Sequence, residues 1–182
     1  MNTVHTLQEY VDALRDAGIL TGCTAPEALL ARGVECLTYD TRTLRENALF
    51  ICKGAHFKEE YLRDALSRGA FAYVAEQQHD VDAPCILVSD IRYSLVVLGQ
   101  LFFDHVTDKL TSVGITGTKG KSTTAYYVRY ILNDWLRAEN KPECAVLSSI
   151  DNYDGKVSEE SHITTPEVLE LYQHFENAYE SG

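Results

Sequence analysis

The sequence predicts an α/β protein in two units: residues 1–109 with their own sheet, and residues 110–182 as the first part of a P-loop-type, parallel-sheet domain. Three observations predict it. Short apolar runs alternate with segments of helical periodicity, the order expected of α/β units with mostly parallel strands. Capping residues and glycines stand at the joints between them. A polar interruption, HVTDK at 105–109, separates two such series.

The first helix opens at Thr6, because Thr6-x-x-Glu9 is a capping-box pattern followed by Leu7, Tyr10, Val11 and Leu14 at helical spacing. Gly18 sits where a helix closes. ECLTYD (35–40) and ALFICK (48–53) read as strands. KEEYLRDALSRGA (58–70) is an amphipathic helix ended by Gly69. FAYVAE (71–76) and CILVSD (85–90) are strands, and Ser89-Asp90 are good caps for a helix running to about residue 104.

In the second unit, LTSVGIT (110–116) is a strand of the buried type and GTKG a turn. A helix from Lys121 carries Val128, Ile131, Leu132, Trp135 and Leu136 on its packing face, and Tyr126, Tyr127 and Trp135 are assigned to helix packing. CAVLSSI (144–150) is a strand and DNYDGKVSEESHI a polar loop. Thr165 then caps a last helix with Pro166 at its first position and Val168, Tyr172, Phe175 and Tyr179 along one side. Two strands and two helices are too few to cover both faces of a doubly wound sheet, so this unit reads as truncated.

Sixteen basic against 27 acidic residues give a net charge of −11, which repels phosphate at long range and argues against a nucleic-acid or anionic-membrane binder. The five cysteines show no C-x-x-C or zinc-like spacing, and the histidines no ligand spacing, so no transition-metal site is assigned. Without a signal pattern or a membrane-length apolar run, the expectation is a monomeric, soluble, cytoplasmic protein.

Against that acidic background, GITGTKGKSTT (114–124) gathers glycines and lysines between an apolar run and a helix. That is the context of a phosphate-binding loop. Glycines let backbone N–H groups approach phosphate oxygens, and a helix N-terminus adds uncapped N–H groups and its positive dipole end. Lys121 is placed to reach the β- and γ-phosphates of ATP, and the Ser122 hydroxyl to ligand Mg²⁺. The usual P-loop has four residues between its first glycine and Gly-Lys; Gly114 lies one residue too early for that, so the loop belongs to a shorter variant, G-T-x-G-K-S/T. The loop therefore predicts Gly117, Thr118, Lys119, Gly120, Lys121, Ser122 and Thr123 as nucleotide-binding, with Lys121 and Ser122 catalytic.

This variant loop resembles the ATP-binding loop of the Mur ligases, ATP-dependent amide-forming enzymes of peptidoglycan precursor synthesis. YDTRTLRENALFICKGAHFKEEYLRDALSRGAFAYVAE (39–76) is similar to the uridine-binding first domain of the branch that adds the third peptide residue. HITTPEVLELY (162–172) resembles that branch's substrate-contacting threonine-threonine-proline segment. The resemblance implies a Mur ligase N-terminal domain over 1–109 and a truncated central domain over 110–182. It also implies that UDP-N-acetylmuramoyl-L-alanyl-D-glutamate receives L-lysine or meso-diaminopimelate through an acyl phosphate, with ATP and Mg²⁺. Carried over by position, Thr41 stands where the family has a serine at the uracil end and His56 lies in the loop approaching the diphosphate. Thr164 and Thr165 contact the muramoyl peptide, and Lys119 replaces a frequent asparagine.

Read without the resemblance, Asp40-Thr41-Arg42 is a turn, His56 a solvated loop residue, and Thr165-Pro166-Glu167 an ordinary helix start. Two other functions remain open: a P-loop kinase or NTPase of another substrate class, and a nucleotide-binding module without turnover.

Overall fold

The computed structural model describes residues 3–54, 57–161 and 163–182, and divides into two compact units, Met1–Asp104 and His105–Gly182. In the first, α1 (Leu7–Asp16) starts with the reciprocal capping box of Thr6 and Glu9 and buries Leu7, Tyr10, Val11 and Leu14. β1 (Leu20–Cys23) and the single-turn α2 (Glu27–Leu30) follow, two elements that the sequence pattern does not signal. Next come β2 (Cys36–Thr38), β3 (Ala48–Ile51), α3 (Glu59–Ser67), β4 (Ala70–Ala75), β5 (Cys85–Val88) and α4 (Ile91–Phe102).

The five strands lie in the order β1-β5-β4-β3-β2. The β2–β3, β3–β4 and β4–β5 pairs are parallel, and β1 closes the β5 edge antiparallel. On one face Phe50, Tyr73, Ala75 and Cys85 pack with Leu62 and Ala65 of α3. Strand alternation turns Leu49, Ile51, Val74 and Ile86 to the opposite side, and all four are buried. Covered on both faces, the parallel strands read as nearly unbroken apolar runs, which is why they were legible. Gly69, at φ +116, lets the chain enter β4 directly from α3, and a Cβ there would lie 3.0 Å from Glu46 Cα.

The second unit departs from expectation in five places. Residues 110–116 form no strand, and Val113 is 63% exposed. An apolar run becomes a strand only when a neighbour completes its backbone hydrogen bonds, and among the described residues no strand pairs with it. After α5 (Lys121–Ala138), the expected strand over 144–150 shrinks to β6 (Val146–Leu147). The segment read as a polar loop instead builds β7 (Asp151–Tyr153) and β8 (Ser158–Glu160), giving an antiparallel β6-β7-β8 sheet. Finally, α6 spans Val168–Ser181 with Glu167 as its N-cap. Thr165 is therefore not the cap, and Pro166 buries its ring ahead of the helix instead of occupying its first position.

The packing face expected for α5 is only partly covered: Val128 and Leu136 are half-buried. Ile131 is 70% exposed and Trp135 54%, whereas Asn133 is buried and its Oδ1 accepts the Cys144 N–H at 2.8 Å. Tyr127 is exposed too, and Tyr126 is engaged through its hydroxyl, which bonds the Asp151 carboxylate. The helix is held by polar contacts on one side and leaves Ile131, Leu132 and Trp135 of its apolar side exposed.

Candidate phosphate-binding loop and sheet-edge cleft

Residues 117–120 form a tight turn with Gly117 at φ +152 and Gly120 at φ +78. Gly120 is the N-cap of α5 in left-handed conformation, and no side chain caps the helix. A Cβ at Gly120 would meet nothing within 4 Å, so glycine is required there for its backbone angle alone. The first N–H groups of α5 and its positive dipole end are thus presented at the turn.

Lys121 Nζ donates to the Gly117 carbonyl at 2.9 Å, which holds the ammonium across the loop. A phosphate offers that ammonium a charge-assisted partner, stronger than a neutral carbonyl. Ser122 Oγ lies 3.0 Å from Ser149 Oγ, a residue from the β6–β7 turn. Thr118, Lys119 and Thr123 are exposed around the same turn. This geometry suits a nucleotide with its magnesium: uncapped amides, one ammonium and a pair of hydroxyls, with no bulky side chain at either glycine.

The other sequence-derived residues are dispersed. Thr41 is half-buried just after β2, between Asp40 and Arg42. Asp40 accepts from the Arg42 guanidinium at 2.6 Å and from its backbone N–H at 2.8 Å, and these bonds hold its carboxyl below the usual range. Thr164 and Thr165 are exposed in the bend before α6. His56 lies outside the described residues.

In the first unit a cleft of about 760 Å³ opens at the C-terminal ends of β3, β4 and β5, lined by Lys53, Phe57, Glu76, His79, Asp90 and Arg92 among others. In open α/β sheets this edge is where ligands bind, because the strands diverge into loops and a helix begins there. Asp90 Oδ1 accepts the N–H groups of Arg92 and Tyr93, both at 2.9 Å, and so fixes the start of α4 at the cleft. Thr41 is not among the lining residues.

Sequence reasoning missed Ser149 and the buried Asp154. The only signals were a pair of serines after an apolar run and an Asp-Gly step in a polar stretch.

Residues 115–182 match the Mur ligase middle domain. Over that stretch the chain is similar to the Mur ligases. The UDP-N-acetylmuramoyl-L-alanyl-D-glutamate--L-lysine ligase of Enterococcus faecalis is 40% identical over 161 residues, 87% of this chain and 31% of that protein. The UDP-N-acetylmuramyl-tripeptide synthetase of Lactobacillus delbrueckii subsp. bulgaricus is 38% identical over 154 residues, 82% of this chain and 29% of that one. The chain therefore spans about a third of the length of these relatives. Among solved structures, a UDP-N-acetylmuramoyl-L-alanyl-D-glutamate--2,6-diaminopimelate ligase aligns over 99% of this chain and 34% of its own, with a TM-score of 0.65. At 18% identity that likeness concerns the fold. Among the described residues no helix is long and apolar enough to cross a membrane.

Proposed function

We propose that this chain supplies the uridine-binding and nucleotide-binding parts of an ATP-dependent amide ligase of peptidoglycan precursor synthesis, working in the cytoplasm. Its substrates are UDP-N-acetylmuramoyl-L-alanyl-D-glutamate and a diamino acid, L-lysine or meso-diaminopimelate. The observation that carries the reading is the loop at the head of α5, where two left-handed glycines, an uncapped helix and Lys121 converge.

A carboxylate does not react with an amine at neutral pH. In the proposed reaction a carboxylate oxygen of the dipeptide attacks the γ-phosphorus of ATP, and ADP leaves with the bridging oxygen. The amine of the diamino acid then attacks the acyl carbon, phosphate departs, and the amine loses a proton to give the amide. The loop amides and Lys121 bind and orient the triphosphate and offset negative charge on the transferring group, which is positioning and electrostatics. Gly117, Thr118, Lys119, Gly120 and Thr123 shape that cradle. Ser122 would hold Mg²⁺, which supplies charge neutralisation on the phosphate oxygens. Thr41 and His56 are assigned to the uridine diphosphate end, and Thr164 and Thr165 to the muramoyl peptide.

Calorimetric titration of the full chain with AMP-PNP tests the loop. Lys121→Ala should weaken binding at least tenfold without changing the circular dichroism spectrum. Equal affinity in the two proteins, or no nucleotide binding by the parent chain, overturns the reading. In a complete enzyme, phosphoryl transfer to a hydroxyl acceptor with no amide formed would instead indicate a kinase.

A further inference from the structure

We propose that Ser149 is a second metal-holding residue of the nucleotide site, acting beside Ser122 on the Mg²⁺ that accompanies the nucleotide. The inference rests on the nucleotide-binding reading above and adds a residue from outside the loop. Ser122 Oγ and Ser149 Oγ lie 3.0 Å apart although the residues are 27 positions apart in the chain.

Two features fix that approach. Ser148 is 6% exposed and builds the turn: its Oγ accepts the Ile150 N–H at 3.0 Å and the Asp151 N–H at 3.3 Å, and donates to the Asp151 carbonyl at 3.1 Å. With Ser148 directed inward, its exposed neighbour Ser149 meets the start of α5. One helical turn further on, the Tyr126 hydroxyl bonds the Asp151 carboxylate. The β6–β7 turn is therefore tied to α5 at two points, i and i+4 on the same helical face.

A hydroxyl–hydroxyl bond at an exposed site contributes at most about 1 kcal/mol, so the pairing has little value as a staple. It has value as a ligand pair. Magnesium takes hard oxygen donors in octahedral geometry at about 2.0–2.1 Å, so neighbouring donors stand about 3 Å apart. The two serine oxygens already have that spacing, and the turn that carries Ser149 is held in place before any ligand arrives. Neither hydroxyl has to move far to exchange its partner for a metal.

The test uses the full chain with Mn²⁺ as probe, titrated by electron paramagnetic resonance at saturating AMP-PNP. Metal-free AMP-PNP binding in EDTA is measured in parallel. Ser149→Val should weaken Mn²⁺ binding about tenfold and leave metal-free nucleotide affinity unchanged, while Ser149→Thr, which keeps the hydroxyl, should stay within threefold of the parent. Ser149→Ala replaces the valine variant if that protein does not fold. Unchanged Mn²⁺ affinity in the variant lacking the hydroxyl overturns the inference while leaving the loop assignment standing, and so does equal loss with threonine. Failure of the parent chain to bind AMP-PNP overturns both.

Discussion

The Asp154 carboxylate accepts four hydrogen bonds, and its replacement gives a sharp test of how the β7–β8 hairpin is held to α6. Oδ1 accepts the N–H groups of Lys156 at 2.9 Å and Val157 at 2.7 Å. Oδ2 accepts from His174 Nδ1 at 2.7 Å and Asn177 Nδ2 at 2.9 Å, and the side chain has no exposed surface. Burial alone would raise its pKa. The donors from Val157, Asn177, His174 and Lys156 outweigh burial and bring it from 3.8 to about 2. That difference corresponds to about 2 kcal/mol of stability. Asp154→Asn removes the charge and turns one acceptor into a donor facing His174 and Asn177, so a loss of about 2–3 kcal/mol is expected. Trp135, the single tryptophan, lies in α5 and reports this unit in urea unfolding followed by fluorescence. Because the folded pKa is depressed, the carboxylate's contribution is complete above about 4 and declines as pH falls toward about 2. The gap between parent and Asn variant should therefore narrow by about 1 kcal/mol between pH 5 and pH 3. A variant within about 0.5 kcal/mol of the parent at pH 5, or a gap indifferent to pH, would refute the reasoning.

Two further substitution pairs test backbone and packing claims. Gly120→Ala should cost about 1–2 kcal/mol, the left-handed penalty alone, since a Cβ meets nothing there. Gly69→Ala adds a contact of 3.0 Å with the Glu46 backbone and should cost more; thermal melts that rank the two in reverse order would contradict the geometry. On α5, Asn133→Ala leaves the Cys144 N–H without its acceptor and should lose about 1–2 kcal/mol. Ile131→Ala, at a site 70% exposed, should stay within about 0.5 kcal/mol. Urea midpoints in which the isoleucine matters more than the asparagine would show that the apolar side of α5 is covered.

What was legible depended on range. The capping box at Thr6 and Glu9, the Asp90 cap of α4 and the closing role of Gly69 are each decided within a few residues, and the structure shows all three. β3, α3 and β4 follow one another in sequence and in space, so their apolar periodicity carried the fold of the first unit. β1 and α2 escaped because TGC and EALL are too short to show a period.

The second unit shows where such reading stops. LTSVGIT has the composition of a buried strand, yet strand formation needs a neighbour's N–H and C=O groups, and composition cannot supply them. α5 has a true apolar stripe, but which stripe is buried depends on what packs there, and Cys144 ahead of β6 engages Asn133 while Asp151 of β7 engages Tyr126.

The sequence by itself determined the glycine-lysine loop, its place at the head of a helix, and the alternation of the first sheet, because backbone angles, caps and periodicity are local. Only the tertiary structure decided that Ser149 stands beside Ser122 and that Asp154 gathers four donors. Those outcomes depend on distances between residues far apart in the chain. Such distances are set when remote elements compete for the same hydrogen-bonding groups and the same buried space.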